Sequence, residues 1–128
     1  MNNGKLANIT PFSADGVEIT IAGDVVHFGG VISMRNPSDT VTPFLRKIHD
    51  AVVASAMKSI TVNITKLRFM NSSSIRSLVD WVEWIRAEPE AKRYVLQFLM
   101  NPNVTWQTTT LSAIQVLGGD SVVVRAGT

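Results

Sequence analysis

Four consecutive side chains carrying amide or hydroxyl groups, Asn71-Ser72-Ser73-Ser74, stand directly before Ile75 and a run of apolar residues at helical spacing. Two chemistries suit such a cluster. The first is helix capping. Asn71 or Ser72 at the N-cap would accept a hydrogen bond from a first-turn backbone N–H, contributing about 1 kcal/mol. The second is phosphate acceptance. A hydroxyl at a helix start lies beside unpaired N–H donors and the positive end of the helix dipole, so a phosphoryl group is tolerated there without a change of fold. What changes is a surface, by about −1.5 to −2 charges and three strong acceptors. Ser72, Ser73 and Ser74 are all candidates, because spacing does not separate adjacent hydroxyls. A hydroxyl committed to capping is less open to a kinase.

The rest of the chain offers little for catalysis. His27 falls on a predicted strand and His49 on the flank of a predicted helix. Neither has a His or carboxylate at the i,i+4 spacing of metal ligands, and both are expected as ordinary surface or edge residues. No G-x-S-x-G elbow and no G-x-x-x-x-G-K-S/T phosphate loop occurs. Asp15, Glu18 and Asp24 are scattered. Gly118-Gly119 lacks the remainder of a nucleotide fingerprint and reads as a helix stop. With no cysteine, thiol catalysis, disulfide frameworks, structural zinc fingers and iron–sulfur clusters are excluded. The expectation is a non-enzyme without metal or cofactor.

The 128 residues are one domain's worth, enough to close a core without staples. A hydrophobic content of 45% and a mean hydropathy of +0.17 rule out a disordered tail. The formal net charge of +2 is too small to suggest nucleic-acid binding. There is no signal-peptide pattern and no apolar run near the ~20 residues that span a bilayer, so a cytoplasmic protein away from membranes is expected.

Residues 1–15 read as a flexible or edge lead-in, and 16–128 as the domain. Val17, Ile19 and Ile21 alternate with polar residues, a strand signal. Gly23-Asp24 supplies a turn into a second strand, Val25 to Val31, where Gly29-Gly30 suggests a bulge or close backbone approach. Leu45, Ile48, Val52 and Ala56 mark a helix over Thr42 to Met57, with Pro43 in its first turn. Ser59 to Ile64 is a strand followed by a short loop. Ile75, Leu78, Val79, Val82 and Ile85 mark a second helix. Its opposite side carries Arg76, Ser77, Asp80 and Trp84. An exposed Trp84 beside a candidate switch residue suggests a partner-binding surface, because tryptophan is enriched at interface hot spots. Tyr94 to Met100 suits a buried strand. Trp106, Thr110, Ile114 and Leu117 mark a third helix, and Val122 to Val124 a last strand. The order predicts an α/β domain with a mixed, mainly parallel sheet of about five strands covered by helices.

The string Ile60-Thr61-Val62-Asn63-Ile64, then Leu67 and Phe69-Met70-Asn71-Ser72-Ser73-Ser74-Ile75, resembles the signature of STAS domains, the anti-sigma factor antagonist family. That signature is a strand, a short loop, and Asp-Ser-Ser-Gly-Leu opening a helix. The version here is closer to SiaC-type STAS-like regulators, which carry Asn, Thr, Ser, Ser, Ile. The order of elements over residues 16–126 agrees. The resemblance implies a non-catalytic bacterial switch. A serine/threonine kinase phosphorylates the hydroxyl residue after the Asp or Asn, which maps to Ser72, with Ser73 and Ser74 as alternates. A PP2C-type phosphatase removes the phosphate. The unphosphorylated form binds an anti-sigma factor kinase or, in the SiaC type, a diguanylate cyclase. Asn71, Ser72, Ser73, Arg76, Asp80 and Trp84 would form the partner face, with the loop from Met34 to Asp39 nearby. A constitutive interaction module or homodimer of the same fold is the alternative. Asn71 in place of Asp removes a charge, and Ser74 in place of Gly alters the tight backbone of the motif; both fit the SiaC type better.

Overall fold

The computed structural model describes residues 6, 9–14, 16–33, 36 and 40–127. Apart from Ser33, Asn36 and Thr40, the connection after Ile32 that includes Met34 to Asp39 lies outside them. β-Branched residues at alternate positions build a first hairpin. β2 (Val17–Ala22) and β3 (Val25–Ile32) pair antiparallel across Gly23-Asp24, and β1 (Phe12–Ala14) pairs antiparallel with β2. Gly23, at φ 63, takes the left-handed position that a two-residue hairpin loop requires.

From β3 onward every strand neighbour is parallel. β4 (Ser59–Met70), β5 (Val95–Met100) and β6 (Val122–Ala126) are reached through helices α1 (Val41–Ala54), α2 (Ser72–Ala87) and α3 (Thr105–Gly118). The strands lie in chain order, β1-β2-β3-β4-β5-β6. The sheet thus has six strands where about five are expected from sequence. The added one is β1, whose three residues are too few to show an alternation.

Parallel neighbours in chain order, each reached by a right-handed crossover, place their helices on one face. α1 packs on α2 and α2 on α3, forming a single layer. Ile60, Val62 and Ile64 of β4 and Leu96 and Phe98 of β5 are buried, while Glu18 and Thr20 of β2 are exposed. The expectation of a helix-covered sheet therefore holds for one face; among the described residues α1, α2 and α3 leave the other uncovered.

Several boundaries move for identifiable reasons. α1 stops at Ala54, because Ala56 sits at φ 56 and leaves the helical path. β4 runs to Met70, through the stretch expected as a loop. Its pairing with β3 shifts register between His27 and Gly29 and again between Gly30 and Val31. Buried positions then fall at Ile64, Leu67 and Met70, a spacing that hides a strand from period-two reading. In α3 the buried stripe is Gln107, Leu111, Ile114 and Gly118, whereas Leu117 is 58% exposed. Gly118 is a packing residue: a Cβ there would lie 2.2 Å from Val122 Cγ2. The helix stop belongs to Gly119, at φ 54.

α2 is flanked by two helices, so its buried sector is wide: Ser74, Ser77, Leu78, Trp81, Val82 and Ile85. Ser77, expected on the outer side, instead hydrogen-bonds Thr42 of α1, Oγ to Oγ1, at 2.8 Å. His49 also departs from expectation. It is fully buried, with Nδ1 2.9 Å from the Tyr94 hydroxyl and Nε2 2.9 Å from Glu88 Oε2. Trp81 Nε1 donates to the same Tyr94 oxygen at 2.8 Å. One proton arrangement satisfies the group. Trp81 N–H donates to Tyr94, Tyr94 O–H donates to His49 Nδ1, and His49 Nε2–H donates to Glu88. This network ties α1 to the end of α2 and the start of β5.

Candidate functional site

The carboxyl ends of parallel strands are where an open α/β sheet presents loops and helix starts. β4 ends there at Met70, in register with Ile32 of β3. Asn71 makes the corner. Its N–H donates to the Ile32 carbonyl at 2.9 Å, and its carbonyl accepts from Ile75 N at 2.9 Å. Its side-chain Oδ1 accepts from Ser74 N at 3.0 Å, and its backbone is extended, at φ −74 and ψ 167. Of the two capping candidates, Asn71 is the one that caps. Asn71→Ala is accordingly expected to cost about 1 kcal/mol, lowering the melting temperature by about 4 °C. Ser72→Ala should leave the melting temperature within about 2 °C, since loss of an exposed hydroxyl with no capping role falls among near-neutral surface changes. Calorimetry of the two variants side by side checks both values.

The three serines are sorted by the helix. Ser72 and Ser73 are exposed in its first turn. Ser74 is fully buried, and its Oγ finds no hydrogen-bond partner among the described residues. A kinase cannot bring a γ-phosphate to an enclosed oxygen, so Ser74 is withdrawn as an alternate acceptor. It takes the glycine place of the motif by pointing inward.

Arg76 and Asp80 stand further along the same helix, joined by a bond from Arg76 Nε to Asp80 Oδ1 at 3.1 Å. Trp84 is not the free docking residue expected. It is half-buried against α1, with the Arg46 guanidinium 5.1 Å from its ring centroid and the His49 ring at 6.0 Å. Its helical angle is as read from sequence, but α1 occupies that side.

Phe69 was not singled out from sequence as a surface feature. It is 48% exposed directly before the Asn71 corner. Its neighbour Arg68 is held by a hydrogen bond from Trp106 Nε1 to the Arg68 carbonyl at 2.9 Å, so α3 braces this strand end. An apolar residue out of step with the buried series Leu67 and Met70 is the sequence signal that points to it. The exposed residues of the strand end and first helical turns on either side of Ser72 in the chain thus include one aromatic, Phe69, and two arginines, Arg68 and Arg76.

The histidines lie elsewhere. His49 belongs to the buried network. His27 sits half-buried in β3 on the sheet face away from α1, α2 and α3, where a groove of about 380 Å³ is lined by Glu18, Thr20, His27, Asn63 and Lys66 among others. Among the described residues, no group of three or more His, Asp or Glu side chains is placed to hold a metal, and no helix is long and apolar enough to cross a membrane.

No protein-family model and no curated protein matches the chain. Solved structures do. One is a chain in the crystal structure of the diguanylate cyclase SiaD in complex with its activator SiaC from Pseudomonas aeruginosa. The TM-score is 0.63 at 12% identity, covering 92% of this chain and 99% of that one. Another is an anti-sigma factor antagonist from Mycobacterium paratuberculosis, with a TM-score of 0.50 at 18% identity, covering 89% of this chain and 82% of that one. At such identities the likeness is one of fold, and it agrees with the motif at Asn71 to Ile75 and with the order of elements around it. This chain is an α/β domain with the STAS-like fold.

Proposed function

We propose that this chain is a non-catalytic, cytoplasmic bacterial signalling switch whose affinity for a regulatory protein is set by reversible phosphorylation of Ser72. The observation that carries the reading is the division of roles at the start of α2. Asn71 supplies the cap, and the Ser72 hydroxyl stays exposed beside it. A serine/threonine kinase and a PP2C-type phosphatase would write and erase the mark. The solved neighbours, an anti-sigma factor antagonist and a complex of a diguanylate cyclase with its activator, support a protein partner of one of these two kinds.

The mechanism is a change of surface. Unphosphorylated, the site offers Phe69 and a modestly basic rim to the partner. A phosphoryl group at Ser72 places about −1.5 to −2 charges at the centre of that patch. The helix N-terminus tolerates it, so the domain keeps its fold while an apposed acidic or apolar surface is repelled.

Phe69 also favours a second reading, a constitutive interaction module or homodimer in which the ring is a fixed anchor and Ser72 is never modified. The two readings separate on binding to the partner identified with the wild-type chain. Ser72→Asp is expected to weaken that complex at least about tenfold, and Ser72→Ala to hold affinity within about twofold. Titration calorimetry of the purified pair measures both. Equal affinity for the two variants would leave the constitutive module.

A further inference from the structure

Arg76 is the residue that can respond to a phosphoryl group on this helix. It lies four residues after Ser72 and four before Asp80, so all three share one helix face. Its side chain is 69% exposed and touches Asp80, itself 30% exposed, through Nε at 3.1 Å. That pair has the weaker orientation, with the base N-terminal to the acid. Helical side chains lean toward the N-terminus, which brings the Arg76 stem back over the turn that carries Ser72. A phosphate at Ser72 would form the opposite and better pair, acid N-terminal to base. It would also offer more charge than a carboxylate and a bidentate fit to the guanidinium.

From this geometry we infer that Arg76 is a relay residue: on phosphorylation of Ser72 its guanidinium leaves Asp80 for the phosphate and uncovers the Asp80 carboxylate. The inference rests on the phosphorylation reading above. It extends the effect of one phosphoryl group from Ser72 to Asp80, eight residues or about 12 Å along the helix axis. The modified surface then differs in two places. The phosphate is partly neutralised by Arg76, and a new negative charge stands at Asp80, which was paired before. A partner sensitive to Asp80 would register the modification without touching Ser72.

The test uses the full chain with phosphoserine installed at position 72 during translation, so no native kinase is needed. Failure of the relay is then separate from failure of the phosphorylation reading, which is decided by mass spectrometry of the native protein. Three spectra are compared: the phosphorus-31 titration of the phosphoserine, the Arg76 Nε–H signal, and the carbon-13 signal of the Asp80 carboxyl at pH 7. The relay predicts a phosphate midpoint lower in the phosphorylated wild type than in phosphorylated Arg76→Gln, by about half a pH unit or more. It also predicts a displaced Arg76 Nε–H signal and an Asp80 carboxyl carbon signal that moves on phosphorylation, by more in the wild type than in Arg76→Gln. Phosphorylated Asp80→Asn should keep the low phosphate midpoint, because the arginine is then free to pair with it. Equal phosphate midpoints in the wild type and Arg76→Gln, or an unmoved Arg76 Nε–H signal, overturn it. The amide spectrum of unphosphorylated Arg76→Gln serves as the check that the exposed substitution leaves the fold intact.

Discussion

Tyr94→Phe is expected to destabilise the domain by about 2–4 kcal/mol, although it removes a single oxygen. That oxygen accepts from Trp81 Nε1 at 2.8 Å and lies 2.9 Å from His49 Nδ1. Without it a buried indole N–H and a buried imidazole nitrogen both lose their partner. Each unsatisfied group costs about 1–3 kcal/mol, which outweighs the small gain from a more apolar ring. At about 4 °C per kcal/mol the melting temperature should fall by roughly 8–16 °C. A second readout comes from pH. Burial, with smaller electrostatic contributions from Glu88 and Asp50, pushes the Tyr94 hydroxyl well above the ordinary tyrosine range, against a smaller opposing effect of the Trp81 hydrogen bond. The folded state therefore holds this proton where the unfolded chain has released it. The associated stability is complete below the ordinary phenol value of 10.0 and declines as pH rises beyond it. The alkaline decline should be shallower in Tyr94→Phe. Urea titrations at pH 7 and above pH 10 measure both, and a loss below about 0.5 kcal/mol at pH 7 would contradict the network as described.

Gly30→Ala should be as costly, and Gly29→Ala next to it nearly silent. Gly30 has φ 92, and a Cβ built on it lies 2.1 Å from the Gly16 carbonyl oxygen. That oxygen accepts from Val31 N at 3.1 Å, so the close approach and the hydrogen bond belong to one irregularity of β3. Alanine must adopt a strained backbone, at roughly 1–3 kcal/mol, and push a backbone oxygen away, at roughly 1 kcal/mol or more for the bond it loosens. The sum is about 2–4 kcal/mol, with β1 and β2 shifted relative to the rest of the sheet. At Gly29 nothing lies within 4 Å of the added carbon and φ is not left-handed, so the change should stay within about 0.5 kcal/mol. Comparable losses from both substitutions would mean that the bulge is not the rigid feature described.

The contrast between these glycines shows where reading from sequence reaches its limit. Gly29-Gly30 signals a bulge or a close approach, but only the register of three strands tells which glycine is constrained. The hairpin at Gly23, the α1 stripe through Leu45, Ile48 and Val52, and the cap before α2 were legible because each is a local pattern with a local cause. The unread features all depend on a distant partner. His49 looks like a surface residue until Tyr94, 45 residues away, meets its ring nitrogen. Ser77 looks polar-faced until Thr42 arrives across the α1–α2 contact. Trp84 has the angle of an exposed residue, and α1 covers it. β4 past Ile64 reads as loop because register shifts against β3 break its alternation. At the site itself, Asn71 and the three serines were legible as a group. Their separation into a cap, two exposed hydroxyls and one buried hydroxyl follows from helix geometry that composition does not encode. Phe69 escaped notice because its exposure is set by the corner at Asn71 and the brace from Trp106.

The central claim is that Ser72 carries a regulatory phosphate, and phosphopeptide mass spectrometry on protein isolated from its native host tests it most directly. Trypsin cuts after Arg68 and Arg76, releasing Phe69 to Arg76 with Ser72, Ser73 and Ser74 in one peptide. The account predicts a phosphate whose fragment ions place it on Ser72, with Ser74 unmodified. A phosphate on Ser73 or Ser74 instead, or a peptide that stays unmodified across growth conditions with phosphatase activity inhibited, would contradict it.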